Sequence, residues 1–289
     1  PRATFFARLS KKLTLRPIKI VTSVHCFLEY QPIRRWKKAV YQLLDRGMAG
    51  ITDRFVPVSV HLKETLIAKY RLDAAKITWI PNGVTIPNYR EIDAELQKYG
   101  IRIGYQKIVT ICARLHPVKD HAFLLRSFAF LIKNYDIPAV LLIVGDGPLE
   151  KELKETAQAL KLKDVVHFTG FKTDPGSYIK ISDVCILTSI REGHPLFLIE
   201  AMALAKPVVA PNLPEMREVV APGVTGILYN PGQESECAAA LYQILADDVL
   251  RQKLGEEGYR RYQRHFCPDK ILAQWNRIYL DLMKGSANE

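Results

Sequence analysis

The chain has 289 residues, 48% apolar and 25% charged, with 16 glycines and 17 prolines, which gives room for two soluble globular domains of ordinary size. No apolar run approaches the roughly 18 residues of a membrane span, and the first residues do not read as a secretory signal. The five cysteines, Cys26, Cys112, Cys185, Cys237 and Cys267, stand singly without a C-x-x-C pair, which argues against a disulfide framework or zinc ribbon and fits a reducing cytoplasm. The net charge of +11 lies wholly in the first third: residues 1–86 hold 16 Lys and Arg against 5 Asp and Glu, residues 87–289 hold 25 against 25. Clusters such as Arg34-Arg35-Trp36-Lys37-Lys38 read either as a surface that meets anionic lipid headgroups or an anionic acceptor, or as a solvated helix face. No nucleic-acid reading motif accompanies them, so nucleic acid is not an expected partner.

In chain order, residues 2–12 read as a helix, Ile18 to Val24 as a buried strand ending at His25, and Ile33 to Met48 as a long helix. Phe55 to Ser59 reads as a strand, His61 to Tyr70 as a helix, and Ile77 to Ile80 as a strand closed by Pro81-Asn82-Gly83. Residues 87–104 are polar and lose this rhythm, and are taken as an interdomain connection between domains at 1–86 and 105–267. Apolar strands follow at Ile108 to Cys112, Val140 to Val144, Val165 to Phe168, Val184 to Leu187 and Pro207 to Ala210. Helices are predicted near Asp120 to Tyr135, Leu149 to Leu160, Pro195 to Leu204, Met216 to Val220, Glu234 to Leu245 and Val249 to His265. Such alternation is the mark of doubly wound parallel α/β layers, which bind ligands at the carboxyl ends of their strands. The last segment, 268–289, carries an amphipathic stripe from Ile271 through Trp275 and Ile278 to Met283.

The richest stretch is Thr188 to Met202, T-S-I-R-E-G-H-P-L-F-L-I-E-A-M, a strand-loop-helix crossing. Gly193 allows close backbone approach, and Pro195 suits the first turn of a helix, where its missing N–H costs nothing. The amides that follow, at the positive end of the helix dipole, suit a phosphate. Glu192 and Glu200 flank that point and suit the grasp of hydroxyl groups, which suggests a nucleotide-sugar pocket. The turn Val144-Gly145-Asp146-Gly147-Pro148 fails the dinucleotide fingerprint, because Glu150 stands where a third glycine is needed; it reads either as a structural turn or as a ligand contact. His116 and His121 do not share a clean helical face with Cys112, and no metal site is expected.

Glu192-Gly193-x-Pro195-x-x-x-x-Glu200, after Ser182-Asp183, resembles the double-glutamate motif of the retaining glycosyltransferases of family 4. The resemblance implies the GT-B fold: two Rossmann-like doubly wound domains, with a C-terminal helix at 268–289 crossing back to the N-terminal one. Cys112-Ala113-Arg114-Leu115-His116-Pro117-Val118-Lys119 is similar to the family's glycine-Arg…Lys element, with Ala113 where glycine is common and Asp120 following where glycine is frequent. It implies that Arg114 and Lys119 hold the donor diphosphate and stabilise the charge that grows as it leaves. Thr169-Gly170-Phe171-Lys172 resembles the loop whose backbone meets the base, so Gly170 and Phe171 join the implied donor site. By the same resemblance Glu200 binds the ribose and Glu192 the donor sugar, Gly193, His194, Pro195, Leu196 and Phe197 belong to the donor-binding site, and the amides after Pro195 cap the diphosphate. His25 matches a strand-end histidine that faces donor and acceptor; it also reads as an ordinary hydrogen-bonded residue. Asn82-Gly83 resembles a cleft-edge turn, with Thr85 in place of an acidic residue.

No Asp-x-Asp occurs, so the diphosphate is expected to be neutralised by protein groups with no metal or other cofactor. The expected partners are a UDP- or GDP-linked sugar donor and a glycan or lipid-linked acceptor, at the cytoplasmic face of an anionic membrane. Aligned by its motifs, the chain is expected to lack the first strands and a glycine-rich loop of the N-terminal domain. The alternative to an active transferase is therefore an inactive nucleotide-binding relative or a partner subunit.

Overall fold

The computed structural model describes residues 2–14, 18–25 and 34–285. Contacts divide the chain into one unit formed by residues 1–83 with 268–289 and a second formed by Val84–Cys267.

The first unit runs α1 (Arg2–Leu13), β1 (Val21–Val24), α2 (Arg35–Met48), β2 (Arg54–Pro57) and α3 (Val60–Ala68), and takes in the C-terminal helix 268–285. β1 and β2 pair in parallel, Val21 opposite Arg54 through Val24 opposite Pro57. Successive residues of a strand face opposite ways. Phe55 accordingly packs with Val58, Leu62, Leu66 and Ile77 on one face, while Val56 packs with Ile80, Ile271 and Ile278 on the other. Of the predicted C-terminal stripe, Ile271, Trp275, Ile278 and Leu282 face this core, and Leu272, Tyr279 and Met283 are exposed. α1 is held by a buried arginine: Arg8 Nε donates to Thr52 Oγ1 (2.8 Å), its guanidinium pairs with Asp45, and Lys11 pairs with Asp53 (2.5 Å). On α2, Trp36, Val40, Leu43 and Leu44 are all exposed, so its apolar stripe at i, i+4, i+7 and i+8 faces away from this core. Ile33 and Cys26 lie outside the described residues, as do the side chains of Arg35 and Lys38.

The predicted strand at 77–80 does not form. Ile77 makes a single bridge to Phe55, Thr78 N–H donates to Phe55 O (3.0 Å) and Ile80 N–H to Pro57 O (3.2 Å). A second bridge, Trp79 opposite Pro57, needs a return bond from the Pro57 amide, and proline has no N–H. The segment lies along β2 with half a ladder.

The second unit begins with α4 (Asp93–Gln97), then alternates β3 (Lys107–Cys112), α5 (His121–Asn134), β4 (Ala139–Val144), α6 (Glu150–Ala159), β5 (Val166–Gly170), α7 (Pro175–Ile181), β6 (Val184–Ile186), α8 (Leu196–Ala203), β7 (Val208–Pro211), α9 (Pro214–Val219), β8 (Gly226–Tyr229), α10 (Glu234–Ala246) and α11 (Asp248–His265). The C-terminal helix of the first unit is α12 (Pro268–Gly285). The six strands form one parallel sheet in the order β5-β4-β3-β6-β7-β8. The chain winds outward from β3 to β5, returns to β6 and winds the other way, so its topological switch point lies between β3 and β6.

The main core joins Val109, Ile111, Leu141 and Ile143 with α5, α8 and α10. The opposite faces of β3 and β4, through Ile108, Val140, Leu142 and Val144, are covered by Ile92, Leu96, Ile101 and Tyr178. The stretch 87–104, expected as a connection, is therefore part of this unit: three apolar side chains in a polar segment close one face of the sheet. Two short helices, α4 and α7, and the strand β8 have no counterpart in the sequence reading. β8 opens at Gly226, where a Cβ would lie 2.3 Å from Val208 O, so close packing on β7 demands the residue that breaks the apolar signal. Cys112, Cys185, Cys237 and Cys267 are free thiols, and burial pushes those of Cys185 and Cys237 up to about 12. Among the described residues no helix is long and apolar enough to cross a membrane.

Candidate functional site

At the carboxyl end of β3 the chain leaves the sheet as Cys112–Lys119, and the turn after β4 determines its path. Ala113 N–H donates to Val144 O (3.0 Å), Leu115 N–H to Asp146 O (2.8 Å) and Leu149 N–H to Leu115 O (3.2 Å). A Cβ on Gly145 would lie 2.2 Å from Ala113 O, and one on Gly147 2.5 Å from Leu115 O. The Gly-Asp-Gly turn is therefore a backbone splint, the structural one of its two readings. Arg114, on the splinted segment, is exposed, and no ion pair of its guanidinium occurs among the described residues.

Beyond it Pro117–Lys119 form a 3-10 turn, in which His116 Nδ1 accepts from Val118 N–H (3.4 Å). Asp120 follows with φ 46° and caps α5 by accepting Phe123 N–H (3.2 Å). Asp is among the few residues other than glycine that tolerate this left-handed conformation, and its carboxylate adds a cap that glycine cannot supply. His121 opens α5 fully buried, its ring nitrogens without a hydrogen-bond partner among the described residues. Burial, and then the nearby Lys119 charge, lower its pKa to about 4.

The loop between β6 and α8 is stitched to this segment. Thr188 Oγ1 donates to Lys119 O (2.8 Å), Ile190 N–H donates to Val118 O (3.0 Å), and the Lys119 ammonium pairs with the Glu192 carboxylate. On the other side Glu192 N–H donates to Glu215 Oε1 (3.0 Å). Pro195 sits at the N-cap of α8 with φ −78°, so the helix starts one residue later than predicted, and Leu198 N–H returns to Pro195 O (3.2 Å). The first amides of a helix have no partner in a preceding turn, and here they open at the switch point of the sheet. Glu200, one turn further on, is half-buried, and desolvation raises its pKa. Its charge adds to the burial that raises the Cys112 and Cys185 thiols, which places it by the ends of β3 and β6.

The fold thus brings Arg114, Lys119, Glu192, Gly193, His194, Pro195, Leu196, Phe197 and Glu200 to the carboxyl ends of β3 and β6. The side chains of His194 and Phe197 are buried, with the His194 ring 5.8 Å from that of Phe266, so these two positions present backbone rather than side chain. Leu196 is exposed. Gly170 (φ 74°) and the exposed Phe171 end β5, two strands away. The next residue, Lys172, pairs with Glu95, which also accepts from the Tyr178 hydroxyl (2.7 Å). His25 follows β1 in the first unit, exposed, with Nε2 2.9 Å from Ser23 Oγ. Glu215 was not anticipated: a single glutamate after Pro214 carries only the signal of a helix start.

Comparison with known proteins agrees with this architecture. The profile described as Glycosyl transferases group 1 matches residues 93–261, and that described as Glycosyltransferase Family 4 matches residues 1–86. The UDP-Gal:alpha-D-GlcNAc-diphosphoundecaprenol alpha-1,3-galactosyltransferase of Escherichia coli is 30% identical over 237 residues, 80% of this chain and 61% of that protein. The N-acetyl-alpha-D-glucosaminyl L-malate synthase of Bacillus anthracis is 29% identical over 199 residues, 69% of this chain and 51% of that protein. The chain therefore spans about half to three-fifths of the length of these relatives. Anabaena HepE, solved in complex with UDP, superposes with a TM-score of 0.84 at 22% identity, covering 97% of this chain and 76% of its own, a likeness of fold. With the first profile matching more than half of its length, the chain belongs to the glycosyl transferases group 1 family.

Proposed function

We propose that the chain transfers a sugar from a UDP- or GDP-linked donor to a hydroxyl of a glycan or lipid-linked acceptor, with retention of configuration and without a metal. The observation that carries this reading is the convergence of Arg114, Lys119, Glu192, Glu200 and the start of α8 at one switch point. The name of the Escherichia coli relative, with its UDP-galactose donor and diphosphoundecaprenol-linked acceptor, and the UDP held by HepE support the donor and acceptor classes.

In this reading the Arg114 fork and the Lys119 ammonium take the two phosphates, and the amides of α8 cap them. Fixed donors of this kind stabilise the charge that develops on the departing diphosphate without reorganising. Lys119 is already held by its pair with Glu192, so little side-chain entropy is lost when phosphate competes for it. Glu200 accepts the ribose hydroxyls, Glu192 those of the donor sugar, and Gly170 and Phe171 line the base. His25, by the family resemblance alone, is assigned to positioning the reacting groups or handling a proton. The basic first third, with the outward stripe of α2, rests on an anionic membrane surface at the cytoplasmic side.

Calorimetric titration with UDP and GDP, on the wild type and on Glu200→Ala and Arg114→Ala, tests the donor site. Base-selective binding weakened at least tenfold in each variant is the expected result. A folded wild-type chain that binds neither nucleotide refutes it.

A further inference from the structure

Glu215 lies in the first turn of α9, on the loop after β7, and only 7% of its surface is exposed. Its Oε1 accepts the backbone N–H of Glu192 across 3.0 Å, while the Glu192 side chain is engaged by Lys119 from the β3 side. The loop between β6 and α8 is thereby held from both flanking strands: Thr188 and Ile190 are tied to Lys119 and Val118, and Glu192 to Glu215. The Glu215 bond holds the backbone of Glu192, where Lys119 holds its side chain, immediately before the pliant Gly193.

We infer that Glu215 is a positioning residue for Glu192, setting the angle from which that carboxylate reaches the donor sugar. The inference rests on the donor reading above. It follows from the division of labour there: Arg114, Lys119 and Glu200 hold the nucleoside diphosphate, and Glu192 alone addresses the sugar. Loosening Glu192 then affects recognition and transfer of the sugar and spares the nucleotide.

The test compares Glu215→Ala and Glu215→Gln with the wild type in two measurements. The first is affinity for UDP against UDP-glucose, UDP-galactose and UDP-N-acetylglucosamine, or for the GDP compounds where the wild type prefers GDP. The second is amide hydrogen exchange at Glu192 without ligand. A hydrogen bond to a charged group is worth about tenfold or more in a conformational equilibrium, here the one that holds Glu192 in place. In Glu215→Ala the advantage of the preferred nucleotide sugar over its nucleotide should fall by about that factor, with nucleotide affinity within about twofold of wild type and the Glu192 amide exchanging faster. Glu215→Gln, whose amide oxygen still accepts, should restore both. Loss of nucleotide and nucleotide-sugar affinity by the same factor, in step with a lowered unfolding midpoint, would mean a merely structural role and overturn the inference. Unchanged exchange at Glu192 in Glu215→Ala would refute the positioning role directly. A wild type that protects the Glu192 amide yet binds no nucleotide refutes the donor reading, and this proposal with it.

Discussion

His121 makes the stability of the second unit depend on pH. Its pKa is lowered from 6.5 to about 4, first by burial and then by Lys119. Below the ordinary histidine value the unfolded chain takes up a proton that the folded chain refuses, so stability is fully present above about pH 6.5 and lost as pH falls towards 4. Between about pH 7.5 and pH 5 the linkage amounts to about 2 kcal/mol, a sizeable share of a marginal domain's stability. His121→Leu keeps an apolar side chain of similar length and removes both unpartnered ring nitrogens. Urea unfolding of both proteins across this range measures the effect; the second unit is followed through a probe on α5, since a two-unit chain need not unfold in one step. Wild type should lose about 2 kcal/mol more than the variant on going to pH 5. Parallel stability curves for the two proteins would refute the reasoning, because they would mean that His121 titrates normally and is not buried neutral behind Lys119.

Two further outcomes are open to measurement. Gly145→Ala places a methyl group 2.2 Å from Ala113 O on a residue with φ 140°. Overpacking and backbone strain together should cost roughly 3 kcal/mol, with nucleotide affinity reduced as the Arg114 segment is pushed off its splint; a variant of wild-type stability would show that this turn has slack. Leu43→Glu puts a charge on the exposed stripe of α2, where no described core residue is disturbed. The wild type should co-sediment with phosphatidylglycerol vesicles and not with phosphatidylcholine vesicles, and the variant with neither. Wild-type binding in the variant would show that the α2 stripe does not make the contact, and a wild type that binds neither vesicle would assign the charge excess to something other than a membrane.

Much of the second unit was legible in the amino-acid order, because each device there is local. A run such as Ala139 to Val144 is buried on both faces and reads as one strand, and Glu192-Gly193-x-Pro195 with Glu200 fits within a single strand-loop-helix crossing. Arg114 and Lys119 sit in one carboxyl-end loop, so their separation is set by five residues of chain.

The sequence by itself therefore determined the doubly wound class, the switch-point loops and most of the residues gathered there. Tertiary structure decided what depends on atoms distant in the chain. Gly145 and Gly147 proved to be a splint because the backbone they touch belongs to another loop, 32 residues away in each case. The run 77–80 failed as a strand because its partner position is Pro57, a missing donor that periodicity within the run does not register. Residues 87–104 became part of a core because three scattered side chains meet a sheet face assembled from β3 and β4. The side chains of His194, beside the Phe266 ring, and of Phe197, in the main core, are buried by residues distant in the chain, and Glu215 came to hold Glu192 because β6 and β7 are neighbours in space. A hydrogen bond between residues 23 positions apart leaves no period and no composition bias to read. It exists only once the sheet has put its strands side by side.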